Sequence, residues 1–528
     1  SGSLDVRVEE QDGTVTTFQV ESASIPYLTR PGTVRYKVAG GRPSDLHKGG
    51  QGNAFATGEF SWGVSNGWSL YGGAITDNNY KAFSLGVGRD LLAFGALSFD
   101  ATRAQTSLSD ETLSGASYRL SYSKRFEEFD SQITFAGYRF SEKNYLSISE
   151  YLDASQYGGP VGGSKSLYTA TFNKQFRDAG VSVYLNYSNQ SYWDRPASER
   201  WNLSLARYFN MGTIKNMSLS MNLFRNQERD QRSGAQSSTG MYLSLSLPLG
   251  RSGTLSTSAS RTMDKNSYSA RFSDRLDERN SYQLSASDNS VSGYLSHVGD
   301  RANLDFSASA QENDYTSLSL SARGGGTLTA KGGALHRSGS MGGTRLMVDT
   351  AGVPDIPIRG YGAASRSNAF GKTVISDISS YHRTAASVDL ENLPANAEAT
   401  QSVTQLTLTE GAIGYRSLDV ISGEKAMAVI RLLDGSTPPF GATVKNQRQQ
   451  DTGIVNEDGS VYLSGIEPGK QMIVSWGGTE RCTLMLPASV PADGLVSALN
   501  LLCEGASAND KSPALTPLTD NDTENKHL

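Results

Sequence analysis

From about residue 54 to about residue 348 the chain alternates apolar and polar residues with a period of two and hardly stops. That period belongs to extended backbone, whose side chains point to opposite faces in turn; an amphipathic helix needs a period near 3.6. In KAFSLGVG, Phe83, Leu85 and Val87 fall on one face, while Ala82, Ser84, Gly86 and Gly88 fall on the other. ASYRLSYSKRF sets Tyr118, Leu120 and Tyr122 against Arg119, Ser121 and Ser123. KNMSLSMNLFRN sets Met217, Leu219, Met221 and Leu223 against Ser218, Ser220 and Asn222, and GMYLSLSLPLG sets Met241, Leu243, Leu245 and Leu247 against Tyr242, Ser244 and Ser246. About 18 such segments of about 9–11 residues follow one another, the length a tilted strand needs to cross a bilayer.

A soluble sandwich alternates as well. Two features favour a transmembrane antiparallel β-barrel. The polar face is mostly Ser, Asn, Thr and Gly, which suits a wet lumen, and Tyr118, Tyr168, Tyr187, Trp193, Trp201 and Tyr208 stand towards segment ends, as interfacial girdles require. On this reading Leu219, Met221, Leu243 and Leu245 are candidates for the lipid-facing surface. The hydrophobic fraction of 37% and net charge of −5 do not oppose a barrel, because alternation keeps the average polarity high. No run of about 18 apolar residues exists, so a helical membrane protein is excluded. The mild acidity argues against nucleic acid as a partner. Long polar insertions such as SISEYLDASQYGGPVGGSKS (147–166) read as loops on one side.

After about residue 345 the regular alternation ends, and TRLMVDTAGVPDIPIRGYGAA brings in prolines. Short strands separated by turns follow, which predicts two small immunoglobulin-like β-sandwiches of about 75–85 residues each. Asn456 to Ser460, NEDGS, is an Asp-Gly turn between two of those strands. Cys482 and Cys503 are an even pair, close enough in sequence for one disulfide in an oxidising compartment; two unrelated buried thiols are the alternative. Residues 505–528 are polar and proline-punctuated, the composition of a disordered tail.

Enzymatic readings find little support. GVSNG (Gly63 to Gly67) matches the G-x-S-x-G elbow, but that elbow needs a helix after it and a strand follows, which puts Ser65 in a turn. GGGTL (Gly324 to Leu328) reads as a flexible or bulged strand start. The five histidines are scattered singly, and neither a metal-ligand spacing nor a phosphate loop is present, so no cofactor is expected.

Several stretches carry a resemblance. GWSLYGG, YKAFSLGVGRDLLAFGALSFDATRA and GYRFSEKNYLSISEY closely resemble the outer-membrane ushers of the chaperone–usher pilus pathway. SGSLDVRVEEQDGTVTTFQVESASIPYLTRPGTVRYKVAGG looks like the usher segment that follows the plug domain, and FGKTVISDISSYHRTAASVDLENLPANAEA is similar to the first C-terminal domain. PPFGATVKNQRQQDTGIVNEDGSVYLSGIEPGKQMIVSWGG resembles the last domain, with Gly441, Gly453, Gly459, Gly465 and Trp476 at matching points and Cys482 and Cys503 matching its cysteine pair.

The resemblance implies the C-terminal two-thirds of an usher, without the N-terminal periplasmic domain, the first strands and the plug of a barrel of about 24 strands. Residues 1–53 would lead from the plug into the barrel, 54–345 would form barrel strands, and 346–421 and 422–504 the two sandwiches. It further implies a multi-pass protein of the bacterial outer membrane with periplasmic C-terminal domains. Its partners would be lipid, pilus subunits and periplasmic chaperone–subunit complexes, the last docking at residues not identified within 346–504. Such a protein would promote donor-strand exchange between subunits and secrete the growing fibre without nucleotide. A passive porin or transporter barrel with accessory periplasmic domains is the alternative, and a soluble adhesin a more distant one.

Overall fold

The alternating segments are strands, and among the described residues nineteen of them belong to one closed sheet. The computed structural model describes residues 3–505 apart from 10–14, 22–27, 46–48, 51–52, 127–130, 158–162, 231–233, 338 and 340–341. The predicted tail thus lies outside the described residues from 506 onward. In chain order the sheet comprises β1 (Val34–Gly41), β2 (Phe55–Ser65), β3 (Trp68–Thr76), β4 (Tyr80–Asp90), β5 (Ala96–Ser107), β6 (Thr112–Phe126), β7 (Ser131–Ser141), β8 (Ser164–Phe176), β9 (Val181–Tyr192) and β10 (Ser198–Met211). It continues through β11 (Ile214–Asp230), β12 (Gly234–Leu249), β13 (Gly253–Thr262), β14 (Lys265–Arg275), β15 (Asn280–Ser287), β16 (Ser290–Val298), β17 (Asn303–Gln311), β18 (Thr316–Thr329) and β19 (Gly332–Arg337). The sheet therefore takes in Val34–Gly41, ahead of the point where the alternation becomes continuous. A separate hairpin pairs Ser3–Glu9 with Val15–Glu21.

The turns explain the order. β2 and β3 are joined by Asn66 and Gly67 alone, with Gly67 at φ 86°. Asn-Gly is the dipeptide whose backbone twist matches a right-twisted hairpin. Ser65 closes β2 and pairs with Trp68, so the G-x-S-x-G match is strand, turn, strand, with Ser65 one residue before the turn. GGGTL is not a strand start: it lies in the last third of β18, where Gly324, Gly325 and Gly326 pair with Arg337, His336 and Leu335 of β19. The predicted loop at 147–166 contains a helix, α1 (Ile148–Tyr157). Ser147 caps it: Ser147 Oγ accepts from the Glu150 amide at 3.2 Å and donates to Glu150 Oε1 at 3.1 Å, a capping box.

By its internal packing the chain forms two compact units. One is Ser1–Asp277 with Ser281–Leu295 and Phe306–Ser319; the other is Glu278–Asn280 with Ser296–Asp305 and Leu320–Leu528. In the second unit the first sandwich sets a three-stranded sheet (Lys372–Ile375, Arg345–Asp349, Ile413–Ser417) against a four-stranded one (Ser365–Arg366, Pro357–Arg359, Arg383–Val388, Val403–Thr407). Leu346, Val348, Ile356, Ile358, Val388 and Leu418 fill the space between them.

The second sandwich runs through one seven-stranded sheet. Its edge strands Asp451–Ile454 and Ser460–Ile466 approach each other, with Ser464 Oγ donating to Thr452 O at 3.3 Å. Ile466 and Met472 belong to its core and are fully buried. Cys482 and Cys503 are bonded, with Cα atoms 5.4 Å apart, and close a loop with a sequence separation of 21. Such a loop contributes about 3 kcal/mol by restricting the unfolded chain. The Asp-Gly turn is present: Gly459, at φ 81°, donates to Asn456 O at 3.0 Å.

One half-buried group gives the first sandwich an acid limit. Burial alone would raise the Asp349 carboxyl, but hydrogen bonds from Tyr415 Oη (2.6 Å) and Lys372 Nζ (3.0 Å) outweigh it and hold the carboxyl below the ordinary value. Burial and the same carboxylate push the Tyr415 hydroxyl up to about 12. A depressed carboxyl stabilises the fold above its unfolded pKa of about 3.9 and loses that contribution as pH falls through the folded value. Asp349→Asn should therefore flatten the acid dependence of hydrogen exchange in Arg345–Asp349 below about pH 4. Identical acid profiles for the two proteins would remove Asp349 from the account.

Candidate functional site

The sheet has two chemically distinct faces, and the register lines each of them up strand by strand. On the apolar face Leu219 pairs with Leu245 and Met221 with Leu243, so the four sequence candidates form two adjacent cross-strand pairs. Leu219 and Leu243 are exposed, Met221 and Leu245 half-buried. Phe83 and Leu85 on the same face of β4 are 64% and 60% exposed, whereas Ala82 on the opposite face is 6% exposed.

On the polar face the residues that stand opposite each other are largely hydroxyls. Ser117 bonds Ser141 at 2.9 Å, Ser246 bonds Ser256 at 2.8 Å, and Ser285 bonds Ser292 at 2.5 Å. Thr102 donates to Ser84 at 3.0 Å, and Asn186 Nδ2 to Thr171 Oγ1 at 2.8 Å. Facing positions on neighbouring strands lie about 4.5–5.5 Å apart at Cβ, within reach of such short side chains. Each pair uses up donor and acceptor capacity that would otherwise face whatever occupies that side.

One row on this face is charged. Tyr71, Gly86, Asp100 and Arg119 stand in register across β3 to β6. Tyr71 Oη donates to Asp100 Oδ2 at 2.8 Å, and Arg119 Nε and Nη2 donate to the same oxygen at 3.0 and 2.9 Å. Gly86 makes this reach possible: a Cβ there would lie 2.3 Å from the Tyr71 ring and 2.7 Å from Asp100 Cβ. The tyrosine ring crosses one strand over a bare backbone.

The helix α1 and the segment before it lie against the same face. Tyr80 and Tyr151 stack with centroids 5.2 Å apart, Tyr80 Oη donates to Leu146 O at 2.9 Å, and Leu146 is fully buried. Ala82 and Ala104 complete that small core, and Gly115 lets the backbone at Asn144 and Tyr145 approach β6. Sequence reading missed this element because its residues sit inside a polar insertion. The Ser147-x-x-Glu150 box was the signal that could have found it. In the second unit, the exposed apolar residues of the second sandwich include Phe440, in a turn, and Ile454, at the end of the edge strand Asp451–Ile454. Among the described residues, no group of three or more His, Cys, Asp or Glu side chains could hold a metal ion.

A family model described as "Outer membrane usher protein" matches residues 1–418, and one described as "PapC C-terminal domain" matches residues 427–487. The chain is 52% identical over 515 residues to "Putative outer membrane usher protein YfcU" of Escherichia coli K12, covering 96% of this chain and 58% of that protein. It is 44% identical over 508 residues to "Outer membrane usher protein PapC" of Escherichia coli, covering 93% of this chain and 59% of that protein. It thus spans about three fifths of the length of these curated relatives. A chain in the structure of the E. coli P pilus tip assembly intermediate PapC-PapD-PapK-PapG, in its second conformation, matches at 41% identity with a TM-score of 0.56, over 96% of this chain and 62% of that one.

The Tyr71 row yields a coupling test. Gly86→Ala should destabilise the barrel by about 1–3 kcal/mol through overpacking. In a Tyr71→Ala background the same change should cost less, because the ring clash is gone and only the contact with Asp100 Cβ remains. Thermal unfolding in detergent micelles would measure both, and strictly additive losses would sink the assignment.

Proposed function

This chain belongs to the outer membrane usher family, and from that premise we propose that it supplies barrel wall and docking modules to a machine that assembles and secretes pilus fibres. The family places it in the bacterial outer membrane, and its relatives are named as ushers, not as enzymes. Periplasmic chaperone–subunit complexes are the proposed cargo. The related PapC is found in an assembly intermediate with PapD, PapK and PapG, which supports that reading. The sandwiches between residues 346 and 504 hold the incoming complex on the periplasmic side. The next subunit's extension then replaces the strand lent by the chaperone, a polymerisation by β-strand addition. No covalent bond is made by the usher and no nucleotide is consumed; its contribution is to hold two reactants oriented.

The observation that carries this reading is the two-faced sheet. In this proposal the apolar face that carries Leu219, Met221, Leu243 and Leu245 turns to lipid, and the face of mutually bonded hydroxyls turns to the lumen. A wall whose hydroxyls bond one another offers few unpaired groups to a folded protein passing along it. A passive porin would have use for such a wall but none for two trailing sandwiches.

The lipid assignment predicts asymmetry. Leu219→Arg should cost about 2–4 kcal/mol near the bilayer midplane, whereas Ser220→Arg should cost little. Equal tolerance in folding titrations into liposomes would sink it. The functional reading predicts that an intact usher stopped after residue 345 inserts into the membrane but assembles little or no pilus. In proteoliposomes, the complete protein and chaperone–subunit complexes should yield fibres without ATP. Normal output from the truncated protein would remove the docking role, and a strict ATP requirement would overturn the mechanism.

A further inference from the structure

Two arginines from distant places in the sheet converge on one loop of the first sandwich. Arg279, at the entry to β15, donates through Nη1 to Val298 O at 3.1 Å and through Nη2 to Asp300 Oδ1 at 2.9 Å. The same Nη2 reaches the Ala364 carbonyl at 2.5 Å. Arg337, the last residue of β19, donates through Nε to Gly299 O at 2.8 Å. Its two terminal nitrogens go to Ala363 O at 2.7 Å and Ala364 O at 3.0 Å. The strand after the loop answers in kind, for the Arg366 amide donates to Asp300 Oδ1 at 3.1 Å.

We propose that Arg279, Arg337 and Asp300 are positioning residues that clamp the 360–364 loop of the first sandwich to the β16–β17 turn, and so fix the platform on which incoming subunit complexes are presented. The proposal rests on the usher reading above. Three features carry it beyond an ordinary surface contact. Six hydrogen bonds from two guanidinium groups all end on backbone carbonyls or on Asp300, so the link reads backbone position rather than side-chain identity. Ala364 O accepts from both arginines, which locks the loop to two strands at once. A planar fork with fixed donor directions can do this, and a lysine, a point charge on a flexible stem, cannot.

The neighbouring contacts hold the same attitude. Asn368 Nδ2 donates to Gly333 O at 2.9 Å in the β18–β19 hairpin, and Ala334 of that hairpin packs with Met347 and Val374 of the sandwich. Lys331 at the hairpin tip lies 4.4 Å from the Tyr415 ring centroid. Arg359 reaches both Glu278 (3.4 Å) and Asp389 (3.2 Å), joining the residue before Arg279 to the sandwich. All of these contacts lie within the second compact unit, so the sandwich is tied to its neighbouring strands at several points.

The test uses the complete usher in membranes, with Arg279→Lys/Arg337→Lys and Arg279→Gln/Arg337→Gln double variants. Heat-modifiable gel migration checks that the barrel has folded. Hydrogen exchange at Gly360–Arg366 and Gly299–Ala302 should accelerate at least tenfold in both variants, while exchange in Arg383–Val388 stays as in the parent. Binding of chaperone–subunit complexes should remain within twofold, and the rate of fibre growth should fall about tenfold. An oxidised Asp300→Cys/Arg366→Cys pair added to the glutamine variant should restore growth. Unchanged exchange would overturn the clamp, and so would loosened exchange with normal growth or a parallel loss of binding. A parent protein that binds no chaperone–subunit complex would instead remove the usher reading and leave the exchange result standing.

Discussion

Inside hydrocarbon no water is available to satisfy a backbone amide or carbonyl, so a strand can reside there only if both of its edges are paired. The other features of this structure follow from that requirement. Closure of the sheet fixes an inside and an outside, and the period of two then assigns every side chain to one of them. A slip of one residue in any pair would exchange the faces along a whole strand. The observed register avoids it: Leu219 meets Leu245 while Ser220 meets Ser244.

The polar face solves a second problem with the same geometry. A barrel that, as proposed, passes folded protein has to be wet without being adhesive. Short hydroxyl side chains that stand opposite each other meet this need by bonding across strands, as Ser246 does with Ser256. Where a charge is admitted, as at Asp100, it is met at once by Arg119 and Tyr71. A buried carboxylate without those donors would carry a heavy desolvation cost.

What the sequence disclosed and what it withheld divide along a physical line. Alternation is a local signal, so the strands, the pairing of Leu219, Met221, Leu243 and Leu245 on one face, and the Asn456–Ser460 turn could be read from neighbours in the chain. The cysteine pair was legible because only two cysteines exist, though a bond and two separate thiols remained open until their Cα atoms were found 5.4 Å apart. Two things were hidden for different reasons. The helix at Ile148–Tyr157 was announced by Ser147 and Glu150 but masked by the polar insertion around it. The meeting of Arg279, Asp300, Arg337 and Ala364 has no local signature at all, since sequence positions some twenty to eighty-five apart come together only after the strands have paired. Gly86 likewise looks like any small residue on an alternating strand until the Tyr71 ring is seen lying over it.

The order of strands in the second sandwich has a consequence in time. Leu499–Glu504, the final strand of that sheet in sequence, is not at an edge; it lies between Glu424–Leu432 and Thr479–Met485, parallel to the former. The sheet therefore has a gap at its centre until those six residues have been delivered. A chain emerging from the ribosome, and then from an export channel, presents its earlier strands first, and they cannot complete the fold among themselves. The module stays unfinished until that strand is in place. Cys503 lies on that last strand, so the covalent staple with Cys482 can be set only after it has arrived.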